Sequence, residues 1–271
     1  FFNDKLPACR WDSTKSHADF YRLALRNMIN LNSERSLIGA IIPPKITHVN
    51  AVESIAFFNE IDLLNAHSLC ASIIYDFLIK ANARSQLFSS SVANLPWARV
   101  SSPALVRTLR LNCLSEAHSD LWNKNAKNLP ASDWSSSDSR LELEGPINGP
   151  ANWDYTAGFR TEFARRMALV EIDVLVAQAI GLNIDQLLEI YRIYFPILQQ
   201  YEEGTWFDQS GRIVWTCSKG LPGVGWLDDR GKSPGRAAWE KILAENSPDL
   251  TCTAIDEIGR ASCRERVYAC V

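Results

Sequence analysis

The sequence has no run of about 18 uncharged apolar residues, the minimum for a membrane-spanning helix. It also has no basic start followed by an apolar stretch, so we expect neither a transmembrane helix nor a secretion signal. Basic charge is not in excess, because 28 Lys and Arg stand against 31 Asp and Glu. Any nucleic-acid binding must therefore depend on local basic patches rather than on the charge of the whole chain.

Several short motifs of enzymes and metal sites are missing as well. The chain has no G-x-S-x-G, and none of its seven cysteines is spaced as C-x-x-C. The number of cysteines is odd, which favours reduced, partly buried thiols in a cytoplasmic protein over a disulfide framework. The four histidines are scattered. We interpret them as ordinary buried or surface side chains and expect no metal site.

The composition is typical of a globular protein, with 46% hydrophobic and 22% charged residues among 271, so the chain can bury a core. Apolar residues on one face predict a helix over residues 13–30. The short apolar run Leu37–Ile42, stopped by two prolines, predicts a buried strand. A second helix, buried on more than one side, is expected over residues 62–84. Arg107 breaks the alternation within 105–111, which leaves strand and helix both open there.

The second half of the chain has clearer patterns. Its apolar spacing is helical, and its capping and turn residues mark where elements begin and end. We predict a linker or long surface loop over 135–150 and then a helix over 159–177 that ends near Gly181. The next predicted helix begins with a capping box at Asn183 and Gln186 and stops at Pro196. A hairpin is predicted over 206–217.

These elements together predict an α+β fold with three parts. Residues 1–134 form a region of helices and short strands, 135–151 a linker or long loop, and 152–256 a mainly helical C-terminal region with a hairpin. The last residues, 257–271, have no apolar period and resemble translated sequencing-adapter DNA. We therefore expect that this tail is not native.

Two short motifs are candidates for nucleotide chemistry. Gly220–Gly225 follows Lys219, but no helical pattern comes after it and the P-loop and Rossmann spacings are both unmet, which favours a tight turn. Asn94–Trp97, which we expect to be an extended or turn segment, matches the catalytic quartet of amino-group DNA methyltransferases only at its outer positions. Since Leu95 does not fit that quartet, we expect no catalytic role there.

Several other stretches carry more than a secondary-structure pattern. Asn32–Pro43 reads NSERSLIGAIIP. It resembles the N-E-R-T-L-I-x-A-I-I-P stretch of large bacterial adenine-specific DNA methyltransferases, among them type IIG restriction-modification enzymes and the methylases of BREX and DISARM phage defence; Ser36 replaces the usual Thr. Further stretches similar to this group are Leu64–Leu78 with Asn94–Trp97, Leu109–Leu114 with Leu121–Trp122, Ala168–Asp173 continuing to Leu182, and Gly211–Val214 with Ser218–Gly225.

The resemblance implies that the chain is the C-terminal, target-recognition part of such an enzyme. Neither the glycine-rich motif for S-adenosylmethionine nor the Asn-Pro-Pro-aromatic quartet is in the sequence, so we expect no cofactor and no methyl transfer in this segment. The implied partners are double-stranded DNA and the missing N-terminal catalytic domain of the same chain, with no membrane. The residues expected to contact phosphates or base edges are Arg35, Lys45, His48, Arg107, Arg110, Asn112 and Lys219.

Two other classes of function stay open. The dense aromatic content and the acidic net charge are also compatible with an adaptor that binds another protein of a defence complex and does not contact DNA. The nine tryptophans are compatible with a sugar-binding module, although tryptophan more often fills cores.

Overall fold

A computed structural model of the chain describes residues 8–82, 85–218, 221, 225, 235–245 and 253–254. Among these residues, five strands come first, nine α-helices follow, and the last three strands lie near the end with the tenth helix, so helices and small antiparallel sheets are largely separate along the chain, which confirms the predicted α+β class. The strands are β1 (Ala8–Cys9), β2 (Asp12–Ser16), β3 (Arg22–Arg26), β4 (Gly39–Ile42), β5 (Val52–Ala56), β6 (Thr205–Phe207), β7 (Ile213–Thr216) and β8 (Thr253–Ala254). The helices are α1 (Glu60–Ala71), α2 (Ile73–Ala81), α3 (Ser89–Ala93), α4 (Ser102–Asn112), α5 (Ser119–Asn125), α6 (Ser139–Glu142), α7 (Glu162–Ala179), α8 (Ile184–Tyr194), α9 (Pro196–Glu203) and α10 (Arg236–Glu245).

The central strand of the first sheet is β3, which pairs antiparallel with β4 on one side and with β5 on the other. Leu23 and Leu25 point to one face of the sheet and are buried, and helix α1 covers this sheet. The helix predicted over residues 13–30 is therefore wrong. Pairing on both edges of β3 decided its conformation, and such tertiary context overrides a short local pattern. The strand predicted over Leu37–Ile42 is present as β4. The expectation that it is buried is wrong, because β4 lies at the edge of the sheet and only Ile41 of its four residues is buried.

The helix predicted over residues 62–84 is present as two helices that meet at Ser72. The backbone of Ser72 is extended, with φ −81° and ψ 149°, so α1 ends there. Its hydroxyl then accepts a hydrogen bond from the N–H of Tyr75, which caps the start of α2. Residues 63–70 are all buried, because α1 lies between the first sheet and helices α4 and α7. The expected burial of this helix on several sides is confirmed.

The ambiguous segment 105–111 belongs to helix α4. Pro103 occupies its first turn, where a missing backbone N–H costs nothing. Every residue from Ala104 to Asn112 is buried, because α1 and α7 pack on this helix. The helix buries the polar residues Arg107, Thr108, Arg110 and Asn112 together with its apolar ones. These polar side chains interrupt the apolar pattern of the sequence, which explains why the pattern there is ambiguous.

The patterns of the second half are largely confirmed. Helix α7 carries the predicted stripe, and Gly181 follows it with φ +78°, a left-handed conformation that favours glycine. Asn183 and Gln186 form the predicted capping box at the start of α8, with both hydrogen bonds at 3.0 Å. The predicted hairpin is β6 with β7, and β8 pairs with the other edge of β6.

Residues 135–151 form a loop that contains the single turn of helix α6. The division of the chain into domains at this loop stays a prediction. In the described part of the chain, one hydrophobic core extends from Tyr21 to Phe207. Helices α4 and α7 pack together in its centre, so the two halves of the sequence share this core.

Three cysteines, Cys9, Cys70 and Cys113, are buried free thiols, and Cys217 is a half-buried one. Burial raises the pKa of the Cys70 thiol to about 12, which makes it a poor nucleophile near neutral pH. Among the described helices, none combines the length and the apolar character needed to cross a membrane.

Candidate nucleic-acid interface

Arg107 lies inside the protein, on α4, with 3% of its surface exposed. Its Nε donates to the carboxylate of Glu171 on α7. Its Nη1 donates to the carbonyl oxygen of Pro103 at 2.9 Å, and its Nη2 donates to that of Asp133 at 2.8 Å. Each guanidinium nitrogen thus has an internal acceptor, which leaves none for a phosphate outside the protein.

Arg110, one turn further along α4, is fully buried. Its guanidinium lies 4.2 Å from the ring centroid of Phe159. Desolvation lowers the pKa of Arg110 to about 10, with Glu144 acting in the opposite direction, so the group remains charged at neutral pH. Its donors bind the main-chain carbonyls of Glu144, Pro146, Ile147, Thr156 and Ala157. Arg110 therefore fixes the loop that precedes α7 to the centre of the fold.

Asn112 and Arg35 join distant segments of the chain. The Asn112 Oδ1 accepts a hydrogen bond from the N–H of Ile41 at 2.8 Å, which ties α4 to β4. The Arg35 Nη2 lies 2.9 Å from the carboxylate of Asp173 on α7. Burial lowers the pKa of Arg35, but the charge and hydrogen bond of Asp173 outweigh it, and the net shift is upward.

The structure thus gives Arg35, Arg107, Arg110 and Asn112 a role different from the expected DNA contacts. They hold the interior together, and their polar groups bind internal partners, apart from the Arg35 Nε, which has no hydrogen-bond partner among the described residues. One sequence signal could have indicated this role, because Glu171 and Asp173 lie directly beside Val170 and Val174, which belong to the apolar stripe of the helix predicted over 159–177. Carboxylates buried in this way require partners of opposite charge.

Lys45 and His48, in contrast, are exposed in the loop between β4 and β5. The backbone of Lys45 has a φ of +65°, and its N–H donates to a carbonyl of the 3-10 turn before β3 at 2.6 Å. The His48 Nε2 lies 2.7 Å from the hydroxyl of Ser54 on β5. From below, the buried Arg22 donates to a carbonyl of the loop and, at 3.2 Å, to the same hydroxyl. These contacts hold the loop in a defined shape.

Three aromatic side chains, Trp11, Phe20 and Phe58, lie together on the surface next to the segment that this loop contacts. The ring centroid of Trp11 is 5.6 Å from that of Phe20 and 6.4 Å from that of Phe58, both in edge-on geometry. Phe58 is 76% exposed, and the ammonium group of Lys15 lies 5.6 Å from the Phe20 ring centroid. We call this region the hairpin surface, after the β1–β2 hairpin that carries Trp11 and Lys15. It consists of Trp11, Phe20, Phe58, Lys15, Lys45 and His48.

Sequence reasoning did not select these aromatic residues. A signal for them exists, because Trp11 stands between Arg10 and Asp12 in a segment with little apolar character. A large aromatic residue between charged neighbours indicates an exposed ring rather than a core position. Exposed aromatic rings next to cations can stack on nucleic-acid bases while the cations bind phosphates.

The charge of the hairpin surface is mixed. Hydrogen bonds from Thr14 lower the pKa of Asp12, and hydrogen bonds from Ser16 lower the pKa of Asp19. Both carboxylates are therefore ionised at neutral pH. Lys15 lies 3.8 Å from Asp12, which offsets part of its charge. This surface has a few exposed cations and aromatic faces rather than a strong positive field.

The remaining candidates are distributed elsewhere. Lys219 lies outside the described residues, as does most of Gly220–Gly225. Asn94–Trp97 follows directly after the end of α3 and forms the expected turn or extended segment. Trp97 is 52% exposed and stacks against Phe57 with ring centroids 6.4 Å apart, so it packs against the end of β5.

Within the described ranges, no three His, Cys, Asp or Glu side chains are grouped closely enough to hold a metal ion. Comparison of the chain with protein-family models, with curated proteins and with solved structures finds no match. Inferences about function therefore depend on the residues themselves and on the sequence stretches described above.

Proposed function

We propose that this chain is the target-recognition part of an adenine-specific DNA methyltransferase and that it binds double-stranded DNA through the hairpin surface. The observation that carries the assignment to these enzymes is the ordered set of stretches from Asn32 to Gly225 that resemble them. Their mutual contacts support it. Arg35 of the first stretch pairs with Asp173, and Asn112 binds Ile41. Three of the stretches that carry the resemblance therefore contact one another inside this fold. The hairpin surface lies outside these stretches and is proposed for its exposed cations and aromatic rings.

In the proposed enzyme, a catalytic domain elsewhere in the same protein holds S-adenosylmethionine and methylates an adenine that is flipped out of the duplex. The chain described here binds the duplex and determines which DNA sequence is methylated. Such an enzyme works in the cytoplasm in a restriction-modification or phage-defence system, where free thiols such as Cys70 stay reduced.

The hairpin surface supplies two kinds of contact in this proposal. Lys45 and Lys15 bind phosphates, while His48 and the exposed rings of Trp11 and Phe58 meet bases or sugars. Because Asp12 and Asp19 lie in the same surface, we expect weak binding by the isolated chain. Its dependence on salt is set by the two lysines, since each neutralised phosphate releases counterions.

Fluorescence anisotropy of a labelled random duplex, titrated with the full chain over a range of salt concentrations, tests this proposal. Two phosphate contacts predict that log K falls with log salt with a slope of about −2. Binding that is absent even at the lowest salt concentration would contradict DNA binding by this chain.

A methyl-transfer assay tests the other half of the proposal. The full chain, incubated with labelled S-adenosylmethionine and adenine-containing duplexes, should transfer no label, because the catalytic quartet and the cofactor motif are missing from its sequence. Transfer by this chain would overturn its assignment as a recognition part.

The exposed apolar side chains of the same region favour a second candidate function. Val49 is 74% and Phe58 is 76% exposed, and exposed apolar patches are typical of protein-binding surfaces. An adaptor of a defence complex would use this surface for a protein partner. A stable protein partner in a pull-down, together with no anisotropy change on DNA, would favour the adaptor over the DNA-binding part.

A further inference from the structure

The three aromatic rings of the hairpin surface do not cover one another's faces completely. The plane of the Trp11 ring makes an angle of 68° with that of Phe20 and of 84° with that of Phe58. An edge-on contact of this kind covers a face of only one of the two rings. Trp11 is 39% and Phe58 is 76% exposed, so the rest of the protein buries neither ring. Flat apolar faces are therefore open to a ligand.

Each of these rings is attached to a part of the fold with a defined backbone. Trp11 lies in the turn between β1 and β2. Phe20 follows the 3-10 turn before β3, and its N–H donates to a carbonyl of that turn at 3.3 Å. Phe58 directly precedes Asn59, whose side chain caps α1 by accepting the N–H of Asp62 at 2.7 Å. A ligand that binds to the rings therefore has little backbone to order.

The charges on and directly beside the hairpin surface nearly balance. Lys15 lies 3.8 Å from Asp12. Hydrogen bonds from the last residue of β2 lower the pKa of Asp19, as do the charges of Lys15 and Lys45, so these three groups lie near one another. Arg10 is a further exposed cation at the tip of the β1–β2 hairpin. The acidic residues in the first turn of α1 are paired with cations of their own. Three exposed cations thus stand against two carboxylates, and their attraction for phosphates is weak.

A fully paired duplex offers little to exposed rings in a weak field. The faces of its bases are stacked on one another, so a protein reaches only base edges, sugars and phosphates. A paired base can stack on a protein ring only after it has left the duplex, which costs free energy. Where bases are already unpaired, this cost is absent, while the neighbouring phosphates remain. Open rings beside a few cations therefore favour DNA that contains unpaired bases.

We propose that the hairpin surface binds DNA at unpaired bases in preference to a fully paired duplex. One base stacks on Phe58 and a neighbouring base on Trp11, while Lys15 and Lys45 bind the adjoining phosphates. This inference rests on the proposed function, because it concerns the same surface, and it specifies which form of DNA that surface prefers.

Fluorescence anisotropy of the full chain with three labelled probes tests the proposal. The first probe is a fully paired duplex, the second has the same sequence with two additional unpaired thymines at its centre, and the third has two abasic sites in place of those thymines. We expect the thymine bulge to bind at least about tenfold more tightly than either of the other probes. The slope of log K against log salt should be the same for the three probes, because stacking releases no counterions.

The three probes separate this inference from DNA binding as such. Equal affinity for the paired duplex and the thymine bulge overturns the inference and leaves DNA binding by the chain standing. Equal affinity for the thymine and abasic bulges also overturns it, since the gain would then come from a flexible backbone rather than from bases. If none of the probes binds at the lowest salt concentration, the inference and the proposed function both fail.

The variant Phe58→Leu tests the stacking position, because it keeps an apolar side chain and removes the ring. Its affinity for the thymine bulge should fall at least about threefold more than its affinity for the paired duplex. Tyr155→Leu, which removes a ring that is 71% exposed in the loop before α7, is the matched control and should keep the preference of the parent chain. Thermal unfolding checks that both variants fold. A parent-like preference in folded Phe58→Leu overturns the proposal.

Discussion

Arg35 and Asp173, which are 138 residues apart in the sequence, form an ion pair with an N–O distance of 2.9 Å. The second oxygen of the carboxylate accepts the N–H of Ile73 at 2.8 Å, at the start of α2. One side chain of α7 therefore connects the segment before β4 with the junction between α1 and α2. Two residues earlier, Glu171 connects α7 with Arg107 on α4 in the same way. Buried ion pairs thus determine how the central helices are placed.

Replacement of Arg35 by alanine should strongly destabilise the protein. The substitution leaves the buried carboxylate of Asp173 without its cation, and removal of one partner of a buried pair costs about 3–5 kcal/mol. Urea unfolding followed by circular dichroism measures the change. Arg192→Ala, which removes an exposed arginine from α8, is the control and should stay within about 0.5 kcal/mol of the parent chain. Equal losses in the two variants would show that the Arg35 pair does not stabilise the fold.

Two glycines before α7 allow a matched test of close packing. Gly145 and Gly149 have nearly the same φ, +68° and +67°. A Cβ at position 149 would lie 2.6 Å from the ring of Trp122, whereas no described atom lies within 4 Å of a Cβ at position 145. Both alanine variants share the strain of a positive φ, but only Gly149→Ala adds a collision.

We therefore expect Gly149→Ala to lose about 1–3 kcal/mol more than Gly145→Ala, which is the usual cost of forcing extra atoms into a packed interior. Urea unfolding of the two variants gives this difference directly. Similar losses would show that Trp122 moves aside and that the loop is packed less tightly against α5 than described.

His67 should make the stability of the fold depend on pH. Burial lowers its pKa from 6.5 to about 4, so the folded protein keeps this imidazole neutral while the unfolded chain protonates it first. The contribution is therefore favourable above pH 6.5 and is lost as the pH falls toward 4. Between pH 7 and pH 5 the loss amounts to about 2 kcal/mol.

Urea unfolding of the parent chain and of His67→Gln at both pH values measures this contribution. The parent chain should lose about 2 kcal/mol more than the variant on going from pH 7 to pH 5, since glutamine does not titrate. The same pH dependence in both chains would contradict a neutral, buried His67.

The second half of the fold could be predicted well, because its signals are local. The capping box at Asn183 and the glycine at position 181 mark helix ends through contacts with neighbours in the sequence. The hairpin of β6 and β7 is likewise set by a short turn. In the first half, β3 and α4 depend on partners that are distant in the sequence, and their local patterns are misleading or ambiguous.

The difference between local and long-range contacts also explains why some predicted DNA-contact residues are buried and others are exposed. Arginines 107 and 110 look like surface cations in the sequence, because nothing near them reveals that Glu171 and the carbonyls before α7 will surround them. Lys45 follows two prolines in a polar loop, and its exposure could be predicted from local residues alone. The aromatic cluster of the hairpin surface forms only when β2, β3 and the segment after β5 come together.

DNA binding by the hairpin surface can be measured through the salt dependence of duplex binding in Lys45→Gln. This variant should fold like the parent chain, bind a labelled duplex more weakly, and have a slope of log K against log salt that is smaller by about 1. The control Arg192→Gln, which neutralises an exposed arginine on α8, should keep the parent slope. Equal affinities and equal slopes in the two variants would show that Lys45 does not contact DNA phosphates.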